Sequence, residues 1–176
     1  IDGVVPMAKM RQQRLRRFKS VWLSTHATET HSKWDTNAIT PGTVFMKKLR
    51  LRLEKMMEGH SWIGRFSSSD EPGEGEHKIM TQWRTGDYQG NMAVYGLDAD
   101  LVVLSLLGRA TCPSIDNVWL FREEMQAGAI AYEDGVVCFE WFSVHALSHW
   151  LASAYSVEDK QKFILQYCFA MSILGN

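Results

Sequence analysis

The feature that most restricts the fold is an alternation of short apolar, strand-like stretches with stretches of helical spacing. Ile1–Val5 reads as the end of a buried strand. Pro6 then opens a helix over Met7–Leu23. His26–Asp35 is a polar loop, and Thr40–Thr43 a turn that leads into a helix over Val44–Met57. Phe45, Leu49, Leu53 and Met56 carry its spacing, and Gly59 stops it. Trp62–Phe66 predicts a short strand, Ser67–Gly75 a loop and Glu76–Trp83 a helix. Next come a strand over Asn91–Gly96, a helix over Leu101–Leu107, strands over Val118–Arg122 and Val136–Phe139, and closing helices over Ser143–Tyr155 and Val157–Leu174. Such an order predicts a Rossmann-like α/β domain whose mainly parallel sheet is flanked by helices. Ligands of such sheets bind beyond the carboxyl ends of the strands.

Composition excludes several classes. The 176 residues suit one domain or part of one, and a 45% hydrophobic share supports a core. The 19 basic and 20 acidic side chains leave a net charge of −1, so any nucleic-acid argument rests on where the charges sit. Cys112, Cys138 and Cys168 are too far apart for a zinc site and too few for a disulfide scaffold. No apolar run is long enough to span a bilayer, which predicts no membrane partner. The chain opens in a strand-like "IDGVV" and stops at Asn176 after an apolar stretch, so 1–176 reads as one partial domain, cut at both ends.

Carboxylates gather where the strands are expected to end. Asp2 follows Ile1, Glu74 and Glu76 flank Gly75 in "PGEGEHKIM", and Asp98 and Asp100 flank Ala99 in "YGLDADLVVL". Hard cations such as Mg²⁺ and Mn²⁺ take oxygen ligands, and five carboxylates from neighbouring loops can hold two of them. Two ions can stabilise both the attacking and the leaving oxygen of a phosphodiester. Glycines at 73, 75 and 96 allow close backbone approach. Each pair could equally be solvated surface or helix N-terminal charge. Asp98 and Asp100 resist that reading better, because they lie between two apolar runs.

The first helix is strongly basic. Lys9, Gln13, Arg16 and Arg17 fall on one face at i, i+4, i+7 and i+8, within a run that also holds Arg11, Arg14 and Lys19. Cations and an amide converging there suit a terminal phosphate, with arginine adding bidentate geometry. A solvated basic face is the other reading.

"IDGVVPMAKMRQQRLRRF", "DTNAITPGTVFM", "PGEGEHKIM" and "YGLDADLVVLSL" resemble, in order, the signature blocks of XRN-type 5′→3′ exoribonucleases. "FREE" at Phe121–Glu124 and "SILGN" at Ser172–Asn176 also fit. The resemblance implies a fold like that of PIN and flap-endonuclease nucleases. It implies removal of 5′-mononucleotides from single-stranded RNA with a 5′-monophosphate, with two Mg²⁺ or Mn²⁺ ions. Residue by residue, it gives Asp2, Glu74, Glu76, Asp98 and Asp100 the catalytic metal-ligand places, and Lys9, Gln13, Arg16 and Arg17 the 5′-phosphate pocket. It also implies a further Asp upstream and another directly after Asn176. "GLDADL" is closer to the cytoplasmic branch, with the nucleus as the second compartment. Val5, Met7, Arg11 and Trp34 depart from the family's usual Ala, Arg, Asn and Phe, and none removes an expected ligand.

Two other readings stay open. One is a structure-specific DNA nuclease of the flap-endonuclease class. The other is a non-catalytic RNA-binding module, against which the carboxylate set argues, since it repels RNA unless cations neutralise it. His77 follows Glu76 and could touch a phosphate or merely start a helix. His145 and His149 have metal-like i, i+4 spacing, but Trp141, Leu147 and Trp150 around them point to packing. The Met and Trp content reads as core filling, with Trp22 and Trp34 also able to stack bases.

Overall fold

The computed structural model describes residues 1–26, 34–62, 64–86, 88–96 and 98–174. The greater part of the expected polar loop and the end of the "SILGN" block lie outside them. The chain divides into two compact units, Ile1–Lys78 and Ile79–Asn176.

In the first unit, residues 1–5 are extended without forming a strand, and Val5 is buried. Helix α1 spans Met7–His26, three residues beyond its predicted end. A short 3₁₀ turn at Thr36–Ala38 precedes α2, Val44–Glu58. Thr43 caps α2, its Oγ1 accepting the Met46 N–H, and Gly59 closes it. The inward stripe of α2 is Met46, Leu49, Leu53 and Met57, while Phe45 and Met56 are exposed. The predicted stripe is thus turned by about one residue. The described residues of Trp62–Phe66 form no strand ladder, and Trp62 is 78% exposed. Helix α3, Gly75–Thr85, follows the predicted loop.

The second unit is built on a three-stranded sheet. Strand β1, Gly90–Tyr95, leads through helix α4, Ala99–Thr111, to a parallel β2, Ile115–Glu123. That strand–helix–strand unit matches the predicted alternation. After β2 the chain makes two small ladders: β3 (Met125–Gln126) with β4 (Ala129–Ile130), and β5 (Tyr132–Glu133) with β6 (Val136–Val137). Strand β7, Phe139–Ser143, then pairs antiparallel with β2.

The sheet is therefore mixed, not mainly parallel. A parallel return needs a crossover, usually helical, and residues 124–138 supply hairpins instead. The predicted Val136–Phe139 strand is split, because Cys138 turns aside: its N–H donates to Ala131 O and its O accepts the Glu124 N–H. Helices α5, Val144–Ala154, and α6, Lys160–Leu174, complete the unit.

The sheet's register separates two rows. Val94, Leu120 and Phe142 are neighbours across the strands and face inward to a core with Leu106, Val144, Leu151, Ile164 and Cys168. Tyr95, Phe121 and Trp141 are neighbours on the opposite face, where Phe121 stacks on Trp141 with ring centroids 4.6 Å apart. Tryptophan fills the core less than its abundance suggests. Trp83 is buried, but the other six of the seven are exposed.

Candidate metal and phosphate site

Asp2 meets the Glu74–Glu76 turn through two backbone hydrogen bonds. The Gly3 N–H donates to Gly73 O and the Gly73 N–H to Val4 O, both at 2.9 Å. The approach is so close that a Cβ at Gly3 would stand 1.8 Å from Glu71 O, so glycine alone fits. Lys78 ties the same segments from the side, its Nζ donating to Ile1 O at 2.7 Å and Ser68 O at 2.8 Å. Asp2 Oδ1 then accepts the Gly75 N–H at 2.7 Å, placing a carboxylate at the positive end of α3.

Glu74 and Glu76 are half-buried. Glu74 Oε2 faces Lys9 Nζ at 2.9 Å. The hydrogen bond to Glu74 raises the Lys9 pKa, against a smaller opposing effect of burial. One of the expected phosphate ligands thus neutralises one of the expected metal ligands.

Lys9, Gln13 and Arg17 lie on the half-buried face of α1, while Arg16 is exposed. Gln13 and Arg17 line a cavity of about 200 Å³ with Gly3, Val5 and Thr40. Arg14, a residue outside the expected set, lines it too. Its signal was available in the sequence, because Arg14 stands three residues before Arg17 and so neighbours it on the helix surface.

Asp98 and Asp100 belong to the second unit, where β1 gives way to α4. Gly96 has φ +138° and donates its N–H to Phe121 O at 2.7 Å, a turn that disfavours a side chain. Asp98 is the N-cap of α4, its Oδ1 accepting the Leu101 N–H at 2.8 Å. Both aspartates are exposed. The apolar runs on either side had suggested half-burial, but the capping turn lifts the pair into solvent.

Every candidate ligand is a carboxylate, a donor set that fits Mg²⁺ or Mn²⁺. Asp2 and Asp98 each commit one oxygen, Oδ1, to a backbone N–H. Within each unit taken by itself, no three His, Cys, Asp or Glu side chains among the described residues gather closely enough to hold a metal. Like-charged carboxylates gain from convergence only when a cation joins them.

Three further expectations are placed. His77 is exposed on the first turn of α3. Trp22 stacks on His26 at 4.4 Å and Trp34 meets Phe45 edge-on at 5.4 Å, both with half of their surface in water. His145 and His149 do not pack inward; both are exposed and line a cavity of the second unit.

Residues 1–124 match the family described as XRN 5′-3′ exonuclease N-terminus. The chain belongs to that family. Among curated relatives, the human 5′-3′ exoribonuclease 1 is 39% identical over 152 residues, covering 73% of this chain and 9% of the relative. The 5′-3′ exoribonuclease 2 of Eremothecium gossypii is 40% identical over 234 aligned residues, covering all of this chain and 25% of the relative. That of Cryptococcus neoformans var. neoformans is 41% identical over 141 residues, covering 60% of this chain and 12% of the relative. The chain therefore spans between about a tenth and a quarter of the length of these relatives. No solved structure matches it significantly. The XRN match covers all nine candidate ligands, from Asp2 to Asp100.

Proposed function

We propose that this XRN-family chain carries metal- and phosphate-binding residues of a 5′→3′ exoribonuclease that hydrolyses 5′-monophosphorylated, single-stranded RNA to mononucleotides. The observation that carries the reading is the Gly3–Gly73 clamp, which sets Asp2 beside Glu74 while α1 presents Lys9 to the same carboxylate. Carboxylates and the cationic face of α1 meet within one unit, which supports reading them as a metal centre beside a phosphate pocket.

Asp2, Glu74, Glu76, Asp98 and Asp100 would hold two divalent ions in a fold of the PIN and flap-endonuclease kind. Bound there, the ions supply an activated water and offset charge on the leaving oxygen. Lys9, Gln13, Arg16 and Arg17 would hold the 5′-terminal phosphate and so fix which phosphodiester reaches the carboxylates. The Lys9 ammonium holds Glu74 Oε2 and so competes with an ion there, and an incoming phosphate gives that ammonium a new partner. Phosphate and metal binding are then mutually supportive. We assign the activity to RNA decay in the cytoplasm.

The test uses a protein carrying this chain, 5′-monophosphorylated RNA and Mn²⁺. The Asp98→Ala, Asp100→Ala double variant should release mononucleotides at least about 10²-fold more slowly, the scale at which missing transition-state charge stabilisation is felt. Digestion at the parent rate would refute the metal assignment. Preference for flapped DNA over RNA would move the protein to the DNA-nuclease class.

A further inference from the structure

The second unit carries an open cleft of about 490 Å³ that draws on none of the five carboxylates and on nothing from α1. Helices α4, α5 and α6 form its walls. The floor is apolar, with Leu106, Ile115 and Ile164, and the rim carries two cations, Arg109 and Lys160, with His145 and His149 beside them. Among the described residues, no acidic side chain lines it.

The rim is held in place before any ligand arrives. Arg109 Nη2 donates to His145 Nδ1 at 2.8 Å and Arg109 Nε donates to Asp116 O at 3.3 Å. A guanidinium has five N–H donors, so three remain for a ligand. Because His145 Nδ1 accepts, the neutral ring carries its proton on Nε2, a further donor. Gln161 Nε2 donates to Ala110 O at 2.8 Å, fastening α6 to the end of α4. Lys160 is the first residue of the 15-residue α6, so its ammonium adds to the positive end of a helix dipole. The nearby carboxylate of Asp159 is turned to the Lys162 N–H at 3.0 Å.

We propose that this cavity binds a nucleoside monophosphate, with the phosphate on the Arg109–His145–Lys160 rim and the base on the apolar floor. The volume falls in the range of small-molecule sites and is far larger than a phosphate alone requires. Fixed cations without an anion repel one another, and a phosphate dianion removes that repulsion while using Arg109 bidentately. The apolar lining that stays accessible, Ala110 and Pro113 beside the buried Leu106, Ile115 and Ile164, gains from covering by a planar base. The site shares no residue with the carboxylate set, so it stands whether or not that set binds metal.

The test is calorimetric titration of the whole chain in EDTA with uridine monophosphate, adenosine monophosphate, uridine and inorganic phosphate. Both mononucleotides should bind at least about tenfold more tightly than either phosphate or uridine, since each of those offers only half of the interactions. Lys160→Gln, at an exposed position, should weaken mononucleotide binding about fivefold without moving the melting temperature, and Arg109→Gln about tenfold or more. Chemical shifts of His145 and His149 should move on titration. Equal affinity for phosphate and mononucleotide would overturn the proposal, as would binding unchanged in both variants. Competition by a 5′-phosphorylated oligonucleotide at equal affinity would assign the site to an RNA end and overturn the free-nucleotide reading.

Discussion

Lys9 serves two charged partners, and that makes it the most informative single residue. Its ammonium holds Glu74, which raises its pKa. Lys9→Gln frees the carboxylate and removes a competing positive charge. Mn²⁺ should then bind several-fold more tightly, while 5′-phosphorylated RNA binds about tenfold more weakly for want of a charge-assisted hydrogen bond. Manganese titration and RNA binding assays check the two opposite signs. As a base with a raised pKa, Lys9 adds stability that is present below its unfolded value of about 10.4 and fades as pH climbs through the higher folded value. The pair is partly solvated, so that contribution is small, and near neutrality it does not vary with pH. Cysteine gives a second residue-scale prediction. Burial pushes the Cys168 thiol up to about 11 and Cys112 is buried, whereas Cys138 is half-exposed. Alkylation at pH 8, read by peptide mass, should label Cys138 first and leave Cys168 unmodified in the folded protein.

At the scale of elements, the clamp between residues 1–5 and the loop before α3 has one weak point. Gly3→Ala drives a methyl into Glu71 O and must separate the two segments. Overpacking of this kind costs about 1–3 kcal/mol, and here it also removes Asp2 from Gly75. Thermal unfolding should drop and Mn²⁺ affinity should fall with it; a variant that lost stability alone would show that the clamp does not position the ligand. In the second unit, Leu106 is 1% exposed at the centre of the core. Leu106→Ala should cost about 2–5 kcal/mol in denaturant unfolding. The hairpins show what was overlooked in the sequence. Ala127–Gly128 and Asp134–Gly135 each link two strands with positive φ at both turn residues, the geometry that matches strand twist. Asp-Gly between short β-forming stretches was the available signal. Both hairpins sit in the 124–138 segment that joins β2 to an antiparallel β7.

For the molecule as a whole, net charge conceals the distribution. The chain carries −1 overall, yet α1 holds six cations and no acid. Single-stranded RNA binding should therefore weaken steeply with salt, and Arg16→Gln with Arg17→Gln should flatten the log–log slope by about 0.7 for each phosphate left without its cation. Fluorescence anisotropy between low and physiological salt measures it.

The sequence alone determined the helices, the stop of α2 at Gly59 and the β1–α4–β2 unit, because periodicity and capping are local properties of neighbouring side chains. It also marked the carboxylates and the basic face as chemical types. Tertiary structure decided what no local rule contains: that Gly3 must lie against Glu71, that Lys9 pairs with Glu74, and that His145 meets Arg109. Each of those joins atoms held apart by intervening chain or by competing partners. Their energies are settled by which surfaces the whole fold buries and which charges it leaves to answer one another.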